Sequence, residues 1–158
     1  MPARDRDEAG RPRNARPRDD LGRPLPIGSE GVPRVPDDLV LAPRESLTLA
    51  QDLLDRGMAF HAHEVLEAAW KSGPTEERAW WQALAQLAVG ITHIQRGNAT
   101  GAIALLRRGA DRISRAERPA PHGIDAAGLV EYADDLAGDL EAGADIGPAR
   151  LRPRLVGG

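Results

Sequence analysis

The stretch AWWQALAQLAVGITHIQ, residues 79–95, decides the fold because it contains no Asp, Glu, Lys or Arg. On a helix with about 100° per residue, its Trp, Leu, Ile, Val and Ala side chains cover nearly every direction. Only Gln82, Gln86 and His93 interrupt the apolar surface, and they fall in one narrow stripe. A helix that is apolar nearly all round is buried among other elements. The stretch therefore predicts a central helix whose polar stripe must find partners or face a cavity or solvent.

The segments on both sides of this stretch also have helical periodicity. They are rich in Ala and Leu, contain no convincing strand pattern, and are separated by turn residues every fifteen to twenty positions. Short connections between helices favour antiparallel neighbours. The sequence therefore predicts an all-α fold, a compact antiparallel bundle of about five helices. Their bounds are roughly 45–56, 59–71, 75–96, 99–116 and 126–141.

Residues with helix-capping chemistry stand at the predicted boundaries. Thr75 can cap the central helix, and Gly97 suits the left-handed position that follows its last turn. Asn98 and Asp125 suit the N-caps of the fourth and fifth helices. These residues support the five-helix division.

The two ends of the chain differ in composition from its middle. Residues 1–36 contain seven of the thirteen prolines, eight arginines, six acids and no aromatic residue, which predicts a disordered arm. Residues 147–158 contain three arginines and no acid, which predicts a flexible tail. Residues 37–146, the predicted helical domain, contain ten basic and eighteen acidic residues. This acidic excess disfavours nucleic acid as a partner and leaves a protein partner or self-association open.

Several function classes are excluded or disfavoured by composition. The chain has no cysteine, which excludes disulfides, thiolate metal sites and cysteine nucleophiles and fits a reducing compartment. Its first residues lack the apolar core of a secretory signal, and no apolar run is long enough to span a bilayer. We therefore expect a cytoplasmic protein without membrane association.

The stretch AFHAHEVLEAAWK, residues 59–71, carries the candidate site. Helical spacing directs His61 away from the other members and puts five side chains on one broad face. Aromatic side chains favour burial, whereas carboxylates need partners when buried, so the combination indicates a partly enclosed polar pocket. The five side chains are Phe60, His63, Glu64, Glu67 and Trp70.

Three interpretations of this pocket stay open. In the first, His63, Glu64, Glu67 and His93 bind a divalent metal such as Zn, Mn or Fe, although the spacing is not the HExxH pattern. In the second, the two glutamates act as acid and base while His93 shuttles protons. In the third, the glutamates accept hydrogen bonds from His93 and Arg96 and fasten helices together without chemistry. No reaction is assigned, because no Ser has an adjacent His base, and His122 is expected to be solvated.

Two separated motifs resemble a known family. FHAHEVLEAAW, followed by LAQLAVGITHIQRGNATGAIALLRRG, is similar to the small proteins grouped as domain of unknown function 309. That family has an F-x-x-H-E-x-x-E-x-x-W helix, a helix ending in H-x-x-R-G-N, and then a Gly-Ala segment. The resemblance covers about residues 45–110 and implies a compact all-α fold without an established activity. It groups His63, Glu64, Glu67, His93 and Arg96 into one cluster, supported by Phe60, Trp70 and Asn98.

Overall fold

The structure is a computed structural model that describes residues 40–157. Across this range the chain forms five α-helices and no named strand, so the all-α prediction is confirmed. The predicted disordered arm, residues 1–36, lies outside the described residues. Short 3₁₀ turns occur at Thr75–Glu77, Pro121–Gly123 and Pro148–Leu151. The helices are α1 Pro43–Asp55, α2 Ala59–Ser72, α3 Arg78–Gln95, α4 Ala99–Arg115 and α5 Ala126–Glu141.

Helix α3 is the central element, as its apolar sequence predicts. It packs against both α2 and α4, while α1 packs against α2 and α5 packs against α4. Ten of its residues are buried, among them Trp81, Leu84, Leu87 and Ile91. Within residues 40–157, no helix is both long enough and apolar enough to cross a bilayer.

Glycine permits the close approach of α3 and α4. A Cβ atom built on Gly109 of α4 would lie 2.8 Å from Leu87 Cδ2 and 3.3 Å from the carbonyl oxygen of Ala83. A Cβ atom built on Gly90 of α3 would lie 3.1 Å from Leu106 Cγ. These contacts leave little room for a methyl group on either helix.

The boundary between α3 and α4 follows the capping prediction. Gly97 has φ 78°, the left-handed conformation that glycine adopts at low cost. The Asn98 side chain accepts a hydrogen bond from the Gly101 backbone N–H at 3.0 Å, and Asp125 caps α5 through Gly128 at 3.1 Å.

The start of α3 differs from the prediction. Thr75 begins the 3₁₀ turn Thr75–Glu77, and the N-cap position of α3 belongs to Glu77, which makes no side-chain capping hydrogen bond. Helix α3 begins only at Arg78, so the predicted Thr75 cap is wrong. The turn separates the threonine from the first free N–H groups of the α-helix.

The C-terminal segment packs on the bundle, in contrast to the flexible tail expected for residues 147–158. The Gln51 side chain of α1 donates to the Pro153 carbonyl and accepts from the Leu155 N–H, both at 2.9 Å. Leu151 and Leu155 are buried, and Val156 forms an isolated antiparallel bridge with Ile124. Two apolar side chains and one carboxamide thus hold a segment whose composition alone indicates disorder.

Candidate functional site

His63 and Glu67 form an ion pair one turn apart on α2. His63 Nε2 lies 3.2 Å from Glu67 Oε2, and His63 Nδ1 lies 2.9 Å from the carbonyl oxygen of Phe60. Both ring nitrogens of His63 therefore face oxygen atoms, one from a carboxylate and one from a backbone carbonyl.

The charge of Glu67 follows from this contact. The hydrogen bond from His63 holds the pKa of Glu67 below its usual value of 4.5. Partial burial opposes this effect, while the positive charges of His63 and Lys71 reinforce it. The Glu67 side chain is 45% exposed and that of His63 is 18% exposed. Near neutral pH, Glu67 is therefore an ionised carboxylate that solvent can reach.

This ion pair lines a cavity of about 250 Å³ between α2, α3 and α4. His63 and Glu67 supply its charged groups, and two glutamines of α3 supply carboxamides. Aliphatic side chains and one indole form the remaining wall. The lining residues are His63, Glu67, Trp70, Gln82, Ala85, Gln86, Val89 and Leu105.

The polar stripe of α3 finds its partner on α4. Arg112 donates from Nε to Gln86 Oε1 at 3.2 Å and from NH1 to Gln82 Oε1 at 3.1 Å. The prediction that this stripe needs partners is thus met for both glutamines. Because Gln82 and Gln86 also line the cavity, Arg112 fixes the orientation of two of its polar groups.

The later motif residues lie at the C-terminal end of α3 and do not line this cavity. His93 Nδ1 is 3.2 Å from Asn98 Nδ2, and Asn98 also caps α4. The Arg96 guanidinium carbon lies 5.4 Å from the centre of the Phe60 ring, at cation–π distance. Glu64 is half-buried on α2, outside the cavity lining, although its Oε1 atom is shielded from solvent. Of the eight predicted site residues, three line the cavity (His63, Glu67 and Trp70), whereas His93, Arg96 and Asn98 lie at the end of α3.

The predicted metal ligands do not converge. Within the part of the chain that the structure describes, no group of three or more His, Cys, Asp or Glu side chains could hold a metal ion. His63 is engaged by Glu67 and by a backbone carbonyl, and His93 is engaged by Asn98. The cavity therefore offers one imidazole–carboxylate pair and two carboxamides, which is less than a metal site requires.

The structure also bears on the acid–base interpretation and on the structural interpretation of the pocket. In the acid–base interpretation, the lowered pKa of Glu67 is unsuited to the acid and leaves this residue only the role of the base. The His63–Glu67 contact lies within one helix and joins no two helices. A separate contact, from Arg112 to Gln82 and Gln86, joins α4 to α3.

Sequence reasoning missed a second polar cluster. His122, expected to be solvated, lies with Nε2 2.9 Å from Glu77 Oε1, and the Trp81 indole N–H donates to the same oxygen at 3.1 Å. This cluster fastens the loop before α5 to the start of α3. Glu77 and His122 are 45 positions apart in the sequence. His122 itself adopts the left-handed conformation (φ 55°) just before Gly123, and this conformation marks the loop as a specific turn.

Comparisons with known proteins agree with the resemblance found in the sequence. Residues 47–105 match the family model described as Domain of unknown function (DUF309), so the predicted resemblance is confirmed for this segment. The match includes all eight predicted site residues and ends before Arg112. The "Uncharacterized protein YpuF" of Bacillus subtilis (strain 168) is 35% identical over 85 residues, which are 52% of this chain and 48% of that protein. The chain thus spans about half the length of that relative. No solved structure matches.

Proposed function

We propose that the protein is a non-catalytic binding protein for a small organic amine, taken up by the cavity between α2, α3 and α4. The observation that carries the proposal is that the ionised Glu67, held by His63, and the Trp70 side chain line the same cavity of about 250 Å³. A carboxylate beside an aromatic ring is a favourable environment for an ammonium group. A cytoplasmic location remains part of the proposal, since a chain without cysteine fits a reducing compartment.

The lining favours a ligand with a short apolar body. Ala85, Val89 and Leu105 present only hydrocarbon, and such walls with few polar groups are typical of small-molecule sites. The ammonium group of the ligand would lie toward Glu67, and its apolar part along these side chains. Any carbonyl or hydroxyl group could face Gln82 or Gln86.

Binding rather than catalysis fits the same side chains. The lining contains no Ser, Thr, Tyr or Lys nucleophile. Both ring nitrogens of His63 are engaged by oxygens, and the lowered pKa of Glu67 makes it a poor proton donor. The arrangement can therefore hold a cation but has no group free to transfer a proton to it.

Nuclear magnetic resonance titration with benzylamine tests the proposal. We expect saturable shifts of the Trp70 indole N–H signal and of the Gln82 and Gln86 carboxamide signals. Benzyl alcohol, which has the same body without the charge, should bind more weakly. Glu67→Gln should reduce benzylamine binding by roughly tenfold, because one charge-assisted hydrogen bond is lost.

The matched control is Glu76→Gln, which removes an exposed carboxylate in the 3₁₀ turn before α3, outside the cavity. This variant should bind benzylamine like the parent protein. If millimolar benzylamine leaves the Trp70, Gln82 and Gln86 signals unmoved, or if both variants weaken binding equally, the proposed amine site is wrong.

A further inference from the structure

We propose a second site, for the phosphate group of a small molecule, on the arginine-lined cavity between α4 and the start of α3. This cavity, of about 330 Å³, shares no lining residue with the His63–Glu67 cavity, and all of its lining except Ala79 lies outside the family match. Three arginines and one aspartate line it, together with two alanines. The lining residues are Ala79, Arg108, Asp111, Arg112, Arg115 and Ala116.

Two of these arginines carry charges that no carboxylate within residues 40–157 neutralises. Arg112 is held by the carboxamide oxygens of Gln82 and Gln86, which are neutral acceptors. Arg108 forms no ion pair with any residue between positions 40 and 157. An arginine that is oriented by neutral groups keeps its full attraction for an anion.

Other arginines of the bundle do form ion pairs with carboxylates. On the same helix, Arg107 pairs with Asp134 and Glu141 of α5. Within the cavity itself, Arg115 Nε lies 3.1 Å from Asp111 Oδ1, so this pair contributes little net charge. The cavity thus retains two uncompensated positive charges, those of Arg108 and Arg112.

The spacing of the arginines suits one compact anion. Residues 108, 112 and 115 follow the i, i+4, i+7 pattern of one helical face. A guanidinium has five N–H donors, and Arg112 uses its Nε–H and an NH1 hydrogen for the glutamines, which leaves donors free. Guanidinium groups match phosphate oxygens with paired hydrogen bonds.

The charge of the cavity and of the surrounding domain favours a phosphate monoester over a nucleic acid as the ligand. A phosphate monoester carries a charge of about −1.5 to −2 at neutral pH, which matches the two uncompensated arginines. A nucleic acid strand would extend beyond the cavity over a domain with eighteen acidic and ten basic residues. A small phosphorylated molecule meets the arginines without that repulsion.

Calorimetric titration at low ionic strength, with inorganic phosphate and with glycerol 3-phosphate, tests the site. We expect saturable binding of at least one of these probes. Arg108→Gln, which changes an exposed side chain, should weaken it by about tenfold, and Arg112→Lys, which keeps the charge but loses the forked donor, should also weaken it. Circular dichroism melts check that both variants stay folded.

Arg56→Gln is the matched control, because it removes one exposed arginine at the C-cap of α1 and changes the net charge by the same amount as Arg108→Gln. Binding should be unchanged in this control. Equal weakening in the Arg56 and Arg108 variants would mean a general charge effect and would overturn the site. The absence of saturable binding, or tighter and equally variant-sensitive binding of a short single-stranded oligonucleotide, would overturn it as well. Arg108 does not line the amine cavity and Glu67 does not line this one, so the Arg108 and Glu67 variants test the two proposals separately.

Discussion

His63 and Glu67 face each other across one turn of a single helix, with 3.2 Å between His63 Nε2 and Glu67 Oε2. Because both residues belong to α2, their contact orders the cavity wall without joining two helices. The contribution of this pair to the free energy of unfolding therefore depends on how exposed the two side chains are, and not on packing between helices.

Removal of the Glu67 charge should cost little stability. Glu67 is 45% exposed, and partly exposed ion pairs contribute about 0.2–1 kcal/mol. We expect Glu67→Gln to lower the free energy of unfolding by no more than this amount, as measured by urea denaturation at neutral pH. Glu76→Gln, an exposed control, should be close to neutral. A loss of about 3 kcal/mol or more would indicate a buried charged pair instead.

The pH dependence of stability should include a contribution from Glu67 with a definite sign. The pKa of Glu67 is lowered in the folded state, chiefly by the His63 hydrogen bond, so the unfolded state binds its proton first as pH falls. The stabilisation is therefore present above pH 4.5 and is lost as pH falls through the folded-state pKa. The difference in unfolding free energy between the parent and Glu67→Gln should shrink in this acidic range. A difference that grows on acidification would contradict the assignment.

Close packing of α3 against α4 should make Gly109 intolerant of a methyl group. In Gly109→Ala the new Cβ would stand 2.8 Å from Leu87 Cδ2 and 3.3 Å from a backbone oxygen. We expect a loss of about 1–3 kcal/mol from overpacking, measured by thermal or chemical unfolding. The control is Gly138→Ala on α5, where nothing lies within 4 Å of the new Cβ. There the better helix propensity of Ala should stabilise the protein by up to about 1 kcal/mol; a loss at both positions would argue against the close-packing explanation.

Gln51 should control whether the C-terminal segment stays attached. Gln51→Ala removes both hydrogen bonds to the backbone of Pro153 and Leu155, so the segment should open more often. We expect faster tryptic cleavage after the exposed Arg154, and faster hydrogen exchange at Leu155. Asp52→Ala, a neighbour on α1 without contacts to the segment's backbone, should leave both rates unchanged. Identical rates in the parent and Gln51→Ala would show that the segment is held without Gln51, by the buried leucines and by backbone hydrogen bonds such as that from the Asp125 N–H to the Leu155 carbonyl.

The helices and most of their ends were predictable because they depend on near neighbours in the chain. The apolar periodicity of residues 79–95 repeats within each turn, and the Asn98 and Asp125 caps act on N–H groups three positions away. The His63–Glu67 contact was predictable for the same reason, since residues i and i+4 always lie one above the other on a helix. Thr75 failed as a cap because a 3₁₀ turn and an α-helix can begin from the same local sequence.

The sequence by itself determined five helices, a buried central one, and the face of α2 that carries His63, Glu67 and Trp70. Which side chains of the other helices contact that face depends on the tertiary structure. Arg112 reaches Gln82 and Gln86 across 30 and 26 positions, and Gln51 reaches Pro153 across 102. Helical periodicity specifies which side chains share a face, but the partner of that face depends on how the helices pack. For that reason the cavity, its two glutamines and the uncompensated arginines beside it follow from the fold and not from any motif.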